Sequence, residues 1–148
     1  MPRFVLDTNV YIAAQRDPAW AGDLEAFYAV ALPETFLHAV VVQELLAGAV
    51  DARRRERLHD GVVAPFERRG RVVAPSWRAW TRSGEVVGEL VEARALSPGG
   101  FTRSFLNDVL LAVSAREHGL TIVTRNSADF DRIGRVVEFD HVPPWPSA

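Results

Sequence analysis

The stretch from Phe105 to Phe130 constrains the fold more than any other part of the sequence. It opens with apolar side chains at helical spacing, which predicts a helix that buries one face. Gly119 marks the predicted end of this helix, and residues 121–124 form a short apolar run typical of a buried strand. Asp108 is the unusual residue, because an ionised carboxylate is seldom buried unless it is paired or binds a cation. The predicted apolar face comprises Leu106, Val109, Leu110, Ala112 and Val113.

The remaining sequence alternates short strand-like runs with longer helical patterns. This alternation predicts an α/β fold with a central parallel sheet and helices on both faces, and 148 residues suit a single domain. Ser76 and Thr102 are predicted to cap the helices that follow them. Trp20 and Phe27 are expected in the core, and Trp77 and Trp80 on an apolar helix face. The predicted strands are residues 3–6, 35–39, 71–74, 121–124 and 135–139; the predicted helices are 10–14, 19–31, 40–48, 52–69, 76–96 and 102–118, with a turn or helix at 126–133 and a Pro-rich tail, 142–148, that cannot pair as a central strand.

Composition limits the chemistry that the chain can perform. It contains no cysteine, which excludes disulfides and thiolate metal sites, and its four histidines show no paired spacing of the zinc-binding kind. Any metal ion would therefore be held by oxygen. No apolar run approaches the roughly 20 residues that span a bilayer, and the sequence runs into Phe4 without a basic leader, so we expect a cytoplasmic protein with no membrane segment.

The charge pattern gives two different indications. A formal net charge of −2 provides no general electrostatic case for nucleic-acid binding. All 17 basic residues are arginines, whose planar side chain matches phosphate well, although a general preference for arginine over lysine explains the same count. The charged segment 52–69 is interpreted either as a solvated helix face or as a surface for RNA or a protein partner.

Four acids stand at comparable places in the predicted fold. Asp7 follows the first strand, Glu44 lies just beyond the second, Asp108 is inside the central helix, and Asp129 follows strand 121–124. Capping or a solvated helix face would explain Asp7, Glu44 or Asp129 taken singly. However, parallel strands point their carboxyl ends to one edge of the sheet, so we expect the acids to converge. Such a cluster suits Mg²⁺ or Mn²⁺ and hydrolysis of a phosphodiester by a metal-activated water.

Four motifs, in order along the chain, give it a family resemblance. The chain resembles the PIN-domain ribonucleases, especially the VapC-type toxins of toxin–antitoxin pairs, from Phe4 nearly to its end. The resemblance implies a Rossmann-like sheet, an acidic pocket that holds Mg²⁺ or Mn²⁺, endonucleolytic cleavage of RNA, a homodimer, and an antitoxin partner that inhibits the enzyme by filling the pocket. The motifs are Leu6-Asp7-Thr8-Asn9-Val10, Val42-Gln43-Glu44-Leu45, Asn107-Asp108-Val109-Leu110-Leu111-Ala112 and Thr124-Arg125-Asn126-Ser127-Ala128-Asp129-Phe130.

The resemblance assigns roles to individual residues. Asp7, Glu44 and Asp108 match the three principal acids of the family. Many members carry Asp where this chain has Asn126, and Asp129 matches the acid before the Phe, so either residue is a candidate for the fourth position. The remaining candidates are Thr8, Asn9 and Thr124, which would orient the acids or a bound water, and Arg103 and Arg125, which would contact RNA phosphates unless they are plain surface.

Two other interpretations make different demands on the sequence. Haloacid-dehalogenase-type phosphatases also begin with an Asp after the first strand, but they need a second Asp where this chain has Asn9, and they use a lysine that this chain lacks. A degenerate PIN-like module that binds RNA or protein without cutting is the main alternative. The presence of Asp7, Glu44 and Asp108 argues against it, since a binding module has no reason to gather like charges.

Overall fold

A five-stranded parallel sheet lies at the centre of the computed structural model, which describes residues 2–147. The strand order is β3-β2-β1-β4-β5, so β1 is the middle strand, with β2 on one side and β4 on the other. All three residues of β1 are buried, because helices cover both faces of the sheet. The predicted α/β architecture is confirmed. The strands are β1 (Phe4–Leu6), β2 (Thr35–His38), β3 (Val72–Val73), β4 (Thr121–Val123) and β5 (His141–Val142).

The helices fill the connections between the strands. Helix α1 packs on α2, α6 packs on α7, and α3 contacts both α1 and α7. The helices are α1 (Thr8–Arg16), α2 (Pro18–Ala31), α3 (Ala39–Gly48), α4 (Ala52–Leu58), α5 (Ala64–Arg68), α6 (Trp77–Glu92), α7 (Arg103–His118) and α8 (Ser127–Ile133), with a 3₁₀ turn at Leu32–Glu34 and a π-helical segment at His59–Val63. Within residues 2–147, every helix is too short or too polar to cross a lipid bilayer.

The central helix α7 begins and ends as its sequence predicts. The Thr102 hydroxyl accepts a hydrogen bond from the amide of Phe105 at its start. Gly119 at its end adopts the left-handed conformation with φ of 66°, and the next amide donates to the Ala115 carbonyl. Residues 108–115 are all buried, which makes α7 the helix most enclosed by the core. Ser76 likewise caps α6 through the amide of Ala79.

The last predicted strand is wrong. Residues 135–139 form turns instead, because the amides of Val136 and Val137 donate to the Ile133 carbonyl and wrap around the end of α8. Val137 is buried by packing on the core without joining the sheet. The strand is β5 in the Pro-rich tail, and it pairs with β4 only at the sheet edge, where prolines are tolerated.

Two predicted helices have different extents in the structure. The helix predicted at 52–69 is interrupted by the π-helical segment, next to Pro65, which has no amide to continue an α-helical ladder. Helix α6 ends at Glu92 and not near Leu96, because Arg94 takes a left-handed φ of 59° and the Ala95 amide closes the helix on the Leu90 carbonyl.

Several apolar side chains lie further out than predicted. Leu106 is 39% exposed, because it shares the outer side of α7 with Arg103. Trp77 and Trp80 on α6 are 80% and 55% exposed, whereas Val86 and Leu90 form the buried face of that helix. Trp20 is only half-buried, and Phe27 is in the core as predicted.

Replacing Gly119 with Ala should lower the free energy of unfolding by about 1 kcal/mol, since a side chain strains a positive φ. Gly84→Ala is the matched control: Gly84 lies in the exposed interior of α6 with open space around it, so the same change should add about 0.5–1 kcal/mol. Urea denaturation measures both. Equal effects of the two substitutions would contradict the left-handed cap.

Candidate active site

The candidate site lies at the carboxyl edge of the three central strands. Asp7 directly follows β1, Thr124 directly follows β4, and β2 leads into α3, which carries Glu44. These strands are hydrogen-bonded neighbours, so residues far apart in sequence meet at one edge. Helix α7 contacts both α3 and β4 and brings Asp108 to the same place.

Thr8 links the first two acids. Its backbone amide donates to Asp7 Oδ1 at 2.8 Å, and its hydroxyl donates to Glu44 Oε1 at 2.7 Å. Asp7 therefore caps helix α1, which was the alternative explanation for this residue, and still belongs to the cluster of acids. Capping and membership of the site are compatible because the two carboxylate oxygens bind different donors.

Thr124 fixes the second oxygen of Asp7. Its hydroxyl donates to Asp7 Oδ2 at 2.8 Å, and it accepts bonds from Asn9 Nδ2 at 3.3 Å and from the Asn126 amide at 3.0 Å. The Arg125 amide donates to Asn9 Oδ1, which sets the Asn9 amide group so that its nitrogen faces Thr124. Because the other two partners are donors, the hydroxyl proton of Thr124 is directed to Asp7.

Asn126 and Asp129 form a pair at the margin of the site. The Asn126 side-chain nitrogen donates to Asp129 Oδ2 at 2.9 Å. An Asp in place of Asn126 would set two carboxylates against each other, so the neutral amide suits a structure in which Asp129 carries the charge. Asp129 is about one-third exposed and also lies 3.9 Å from the guanidinium of Arg132.

Asp108 is the least compensated of the four acids. It is 6% exposed, and no group in residues 2–147 donates a hydrogen bond to its carboxylate. Burial, followed by the negative charges of Asp7, Glu44 and Asp129, raises the pKa of Asp108 to about 8. Burial also raises the pKa of Asp7, to about 6, against the lowering effect of the bonds from Thr124 and Thr8. The fold thus brings these acidic side chains close enough for the charges of three of them to raise the pKa of the fourth.

The chemistry of these donors fits a hard divalent cation. Carboxylate, amide and hydroxyl oxygens are the ligands of Mg²⁺ and Mn²⁺. The acids also lie within electrostatic range of one another, because the charges of Asp7, Glu44 and Asp129 contribute to the raised pKa of Asp108. In the described part of the chain, no three acidic or histidine side chains are spaced to ligate one ion together. The donor set therefore matches the ion in type, and its spacing in this structure is not that of a closed coordination shell.

His38 and Ser114 are site-supporting residues that the sequence analysis did not identify. His38 Nδ1 accepts a hydrogen bond from the Val40 amide, so the protonated Nε2 donates to Ser114 Oγ at 2.8 Å. Burial and the nearby His118 lower the pKa of His38 to about 4, and the ring is neutral. This bond ties the start of α3, which carries Glu44, to α7, which carries Asp108. A histidine at the end of β2 was the only sequence signal.

The two arginine candidates lie outside this cluster. The guanidinium of Arg125 stacks on the Trp20 ring, 4.5 Å from its centroid, so only the backbone of Arg125 joins the site. Arg103 is an exposed residue in the first turn of α7, and it has no ion pair within residues 2–147. The structure therefore gives no support to either side chain as a member of the acidic site.

Comparison with known proteins identifies the family. The family model described as PIN domain matches residues 4–136. The chain belongs to the PIN-domain family. This PIN domain is 29% identical over 136 residues to the tRNA(fMet)-specific endonuclease VapC of Shigella flexneri, an alignment that covers 90% of the chain and 94% of that protein.

Solved structures of similar proteins share the fold. A chain of the DNA-bound VapBC complex from Salmonella typhimurium has a TM-score of 0.69 to this PIN domain at 23% identity, with 97% of this chain and 98% of that chain covered. A chain of FitAcB from Neisseria gonorrhoeae has a TM-score of 0.68 at 21% identity, with 96% and 98% covered. The predicted Rossmann-like PIN fold is confirmed.

Thr124→Val should raise the pKa of Asp7 above about 6, because it removes the hydrogen bond that stabilises the ionised carboxylate. Thr124→Ser keeps the hydroxyl and serves as the control. Carbon-13 NMR titration of the aspartate carboxyls in metal-chelating buffer measures the shift. An unchanged pKa of Asp7 in the valine variant would show that Thr124 does not orient this acid.

Asp108→Asn should stabilise the metal-free protein at pH 8 and leave its stability unchanged near pH 4. Between the unfolded pKa of 3.8 and the folded value of about 8, folded Asp108 retains a proton that the unfolded chain has lost, so stability falls as pH rises. The gain at pH 8 should be at least about 1 kcal/mol, since one pKa unit corresponds to about 1.4 kcal/mol. Urea denaturation in chelator at both pH values measures it, and a loss of stability at pH 8 would contradict the cost assigned to burial and to repulsion by the other acids.

Proposed function

We propose that this PIN domain is an endoribonuclease that hydrolyses RNA phosphodiesters and depends on Mg²⁺ or Mn²⁺, and that it is the toxin of a type II toxin–antitoxin pair. The observation that carries the proposal is the buried Asp108, surrounded by the charges of Asp7, Glu44 and Asp129 at the carboxyl edge of the sheet. The VapC relative is named as a tRNA(fMet)-specific endonuclease, which supports the same activity.

The chain's own residues would prepare the site for catalysis. Asp7, Glu44 and Asp108 would share in binding one or two cations, with Asp129 as a further acid and Asn126 as the group that steadies Asp129. When bound, the cation would supply the Lewis acid that activates water and stabilises negative charge on the phosphoryl oxygens.

The supporting hydrogen bonds would keep the acids oriented. Thr8 and Thr124 donate hydrogen bonds to the carboxylate oxygens of Asp7 and Glu44. Asn9 in turn donates to the Thr124 hydroxyl and fixes its orientation. Such support fixes the rotamers of metal-binding side chains in advance of binding.

The partners in this proposal are an RNA substrate, a second copy of the chain and an inhibitory antitoxin. Similar chains occur in the VapBC and FitAcB structures, and together with the resemblance to VapC-type toxins of toxin–antitoxin pairs this supports an antitoxin partner. The homodimer, the RNA substrate and a cytoplasmic location stay predictions from the sequence.

A binding module without nuclease activity is the alternative function. Such a module would be more stable with neutral residues at positions 7, 44 and 108, because buried like charges oppose folding. The hydroxyls of Thr8 and Thr124 instead donate to Glu44 and Asp7, and the Thr124 bond lowers the pKa of Asp7 against the larger raising effect of burial. This arrangement favours the metal-dependent nuclease.

Asp7→Asn and Asp108→Asn should each lower the rate of RNA cleavage by at least about 100-fold and abolish calorimetric binding of Mn²⁺, while both proteins stay folded. Asp23→Asn is the control, because it removes the same charge from the exposed face of α2. Gel assays on single-stranded RNA with and without chelator measure cleavage. Full cleavage by Asp108→Asn would refute the assignment, and RNA binding without metal binding or cleavage in the unsubstituted protein would establish the alternative.

A further inference from the structure

A cavity of about 630 Å³ adjoins the acidic cluster. Residues of α1, α3, α4 and the π-helical segment line it, and Glu44 belongs both to its wall and to the site described above. Apolar side chains also line it, among them Ile12, Leu45 and Leu58. The cavity and the acids are therefore continuous through one side chain.

Three arginines surround this cavity, which we call the arginine groove: Arg16 from α1, and Arg54 and Arg57 from α4. Arg16 and Arg57 have no carboxylate within 4.0 Å in residues 2–147. Arg54 lies 3.6 Å from Asp51, but both side chains are more than half exposed, and such pairs contribute little. The groove is thus locally cationic in a chain of net charge −2.

This placement sorts the arginine run 53–57 into two sets. Positions 54 and 57 are three apart in a helix, share one face and line the groove. Arg53 is exposed elsewhere, and Arg55 donates to the Ala49 carbonyl. Only part of the run is therefore a solvated face.

We propose that the arginine groove binds the phosphates that flank the cleaved phosphodiester of single-stranded RNA. This inference rests on the proposed function: Glu44 belongs both to the acids and to the groove wall, so a strand whose phosphate lies at the acids can continue along the groove. The acids repel that polyanion, and adjacent guanidiniums offset the repulsion with bidentate hydrogen bonds to phosphate. Cationic grooves that follow the backbone are the usual means of holding a single strand.

The test measures RNA binding separately from cleavage. Asp108→Asn protein is titrated into a fluorescein-labelled single-stranded RNA of mixed sequence and about 12 nucleotides, and anisotropy is recorded over a range of salt concentrations. Adding Arg16→Gln and Arg57→Gln should weaken binding by at least about tenfold and reduce the salt dependence by about 0.7 per lost phosphate contact. Arg16→Lys with Arg57→Lys should recover part of the affinity, because the charge returns without the bidentate geometry.

The matched control is Arg53→Gln with Arg68→Gln, which removes the same charge from exposed positions outside the groove. Equal weakening by both pairs would mean that only net charge matters and would overturn the proposal. Unchanged affinity and salt dependence in the Arg16/Arg57 variant would overturn it as well. So would tighter groove-dependent binding of a Glu-rich peptide of equal charge, which would make the groove a site for an acidic protein segment.

The outcomes also separate this inference from the proposed nuclease. Groove-dependent RNA binding by a protein that never cleaves RNA would support the groove and refute the enzyme. Metal-dependent cleavage combined with groove-independent binding would refute the groove alone. Urea denaturation of every variant confirms that it is folded.

Discussion

The carboxylate of Asp108 sets the central problem of this structure. It is buried on the most enclosed helix, receives no hydrogen bond from residues 2–147, and faces three other acids. Burying a charge without a partner opposes folding, so the remaining structure must hold the acids in place despite their repulsion. The sheet does this by fixing Asp7 and Thr124 at the ends of adjacent strands, and the His38–Ser114 bond does it by joining α3 to α7. The packing of the core therefore stabilises the fold enough to tolerate the unfavourable clustering of the four acids.

The hydrogen bonds around the acids explain how the site is specified. Asp7 accepts one hydrogen bond from its neighbour Thr8 and another from Thr124, which is 117 residues away. The Thr8 donor is a backbone amide fixed by the start of α1, and the Thr124 hydroxyl is directed by its bonds from Asn9 and the backbone amide of Asn126, so the arrangement leaves little freedom of orientation. The residues lie on strand ends and helix starts and not on long loops, and rigid elements of this kind position a site accurately.

Sequence patterns predicted the fold well where they reflect local rules. The alternation of elements, the caps at Ser76 and Thr102 and the glycine end of α7 are confirmed, because propensity and capping act over a few residues. The patterns failed where tertiary packing decides. Residues 135–139 contain Val136, Val137 and Phe139 and look strand-like, yet they wrap around α8. Leu106 has the helical spacing of the buried residues but lies on the exposed side of α7. The acids were predicted from their places in the alternating pattern and from the order of the motifs, whereas the pairing of His38 with Ser114 depends on a contact across 76 residues that no local pattern records.

The position of β1 in the middle of the sheet has a consequence for synthesis of the chain. Its neighbour β4 comes more than a hundred residues later, and the bond from Thr124 to Asp7 can form only when these two strands have paired. Loop closure over such a distance is slow, and the contact cannot exist while the later segment is still being translated. The ribosome therefore synthesises most of this polypeptide before Asp7, the first acidic residue of the chain, can accept its hydrogen bond from Thr124.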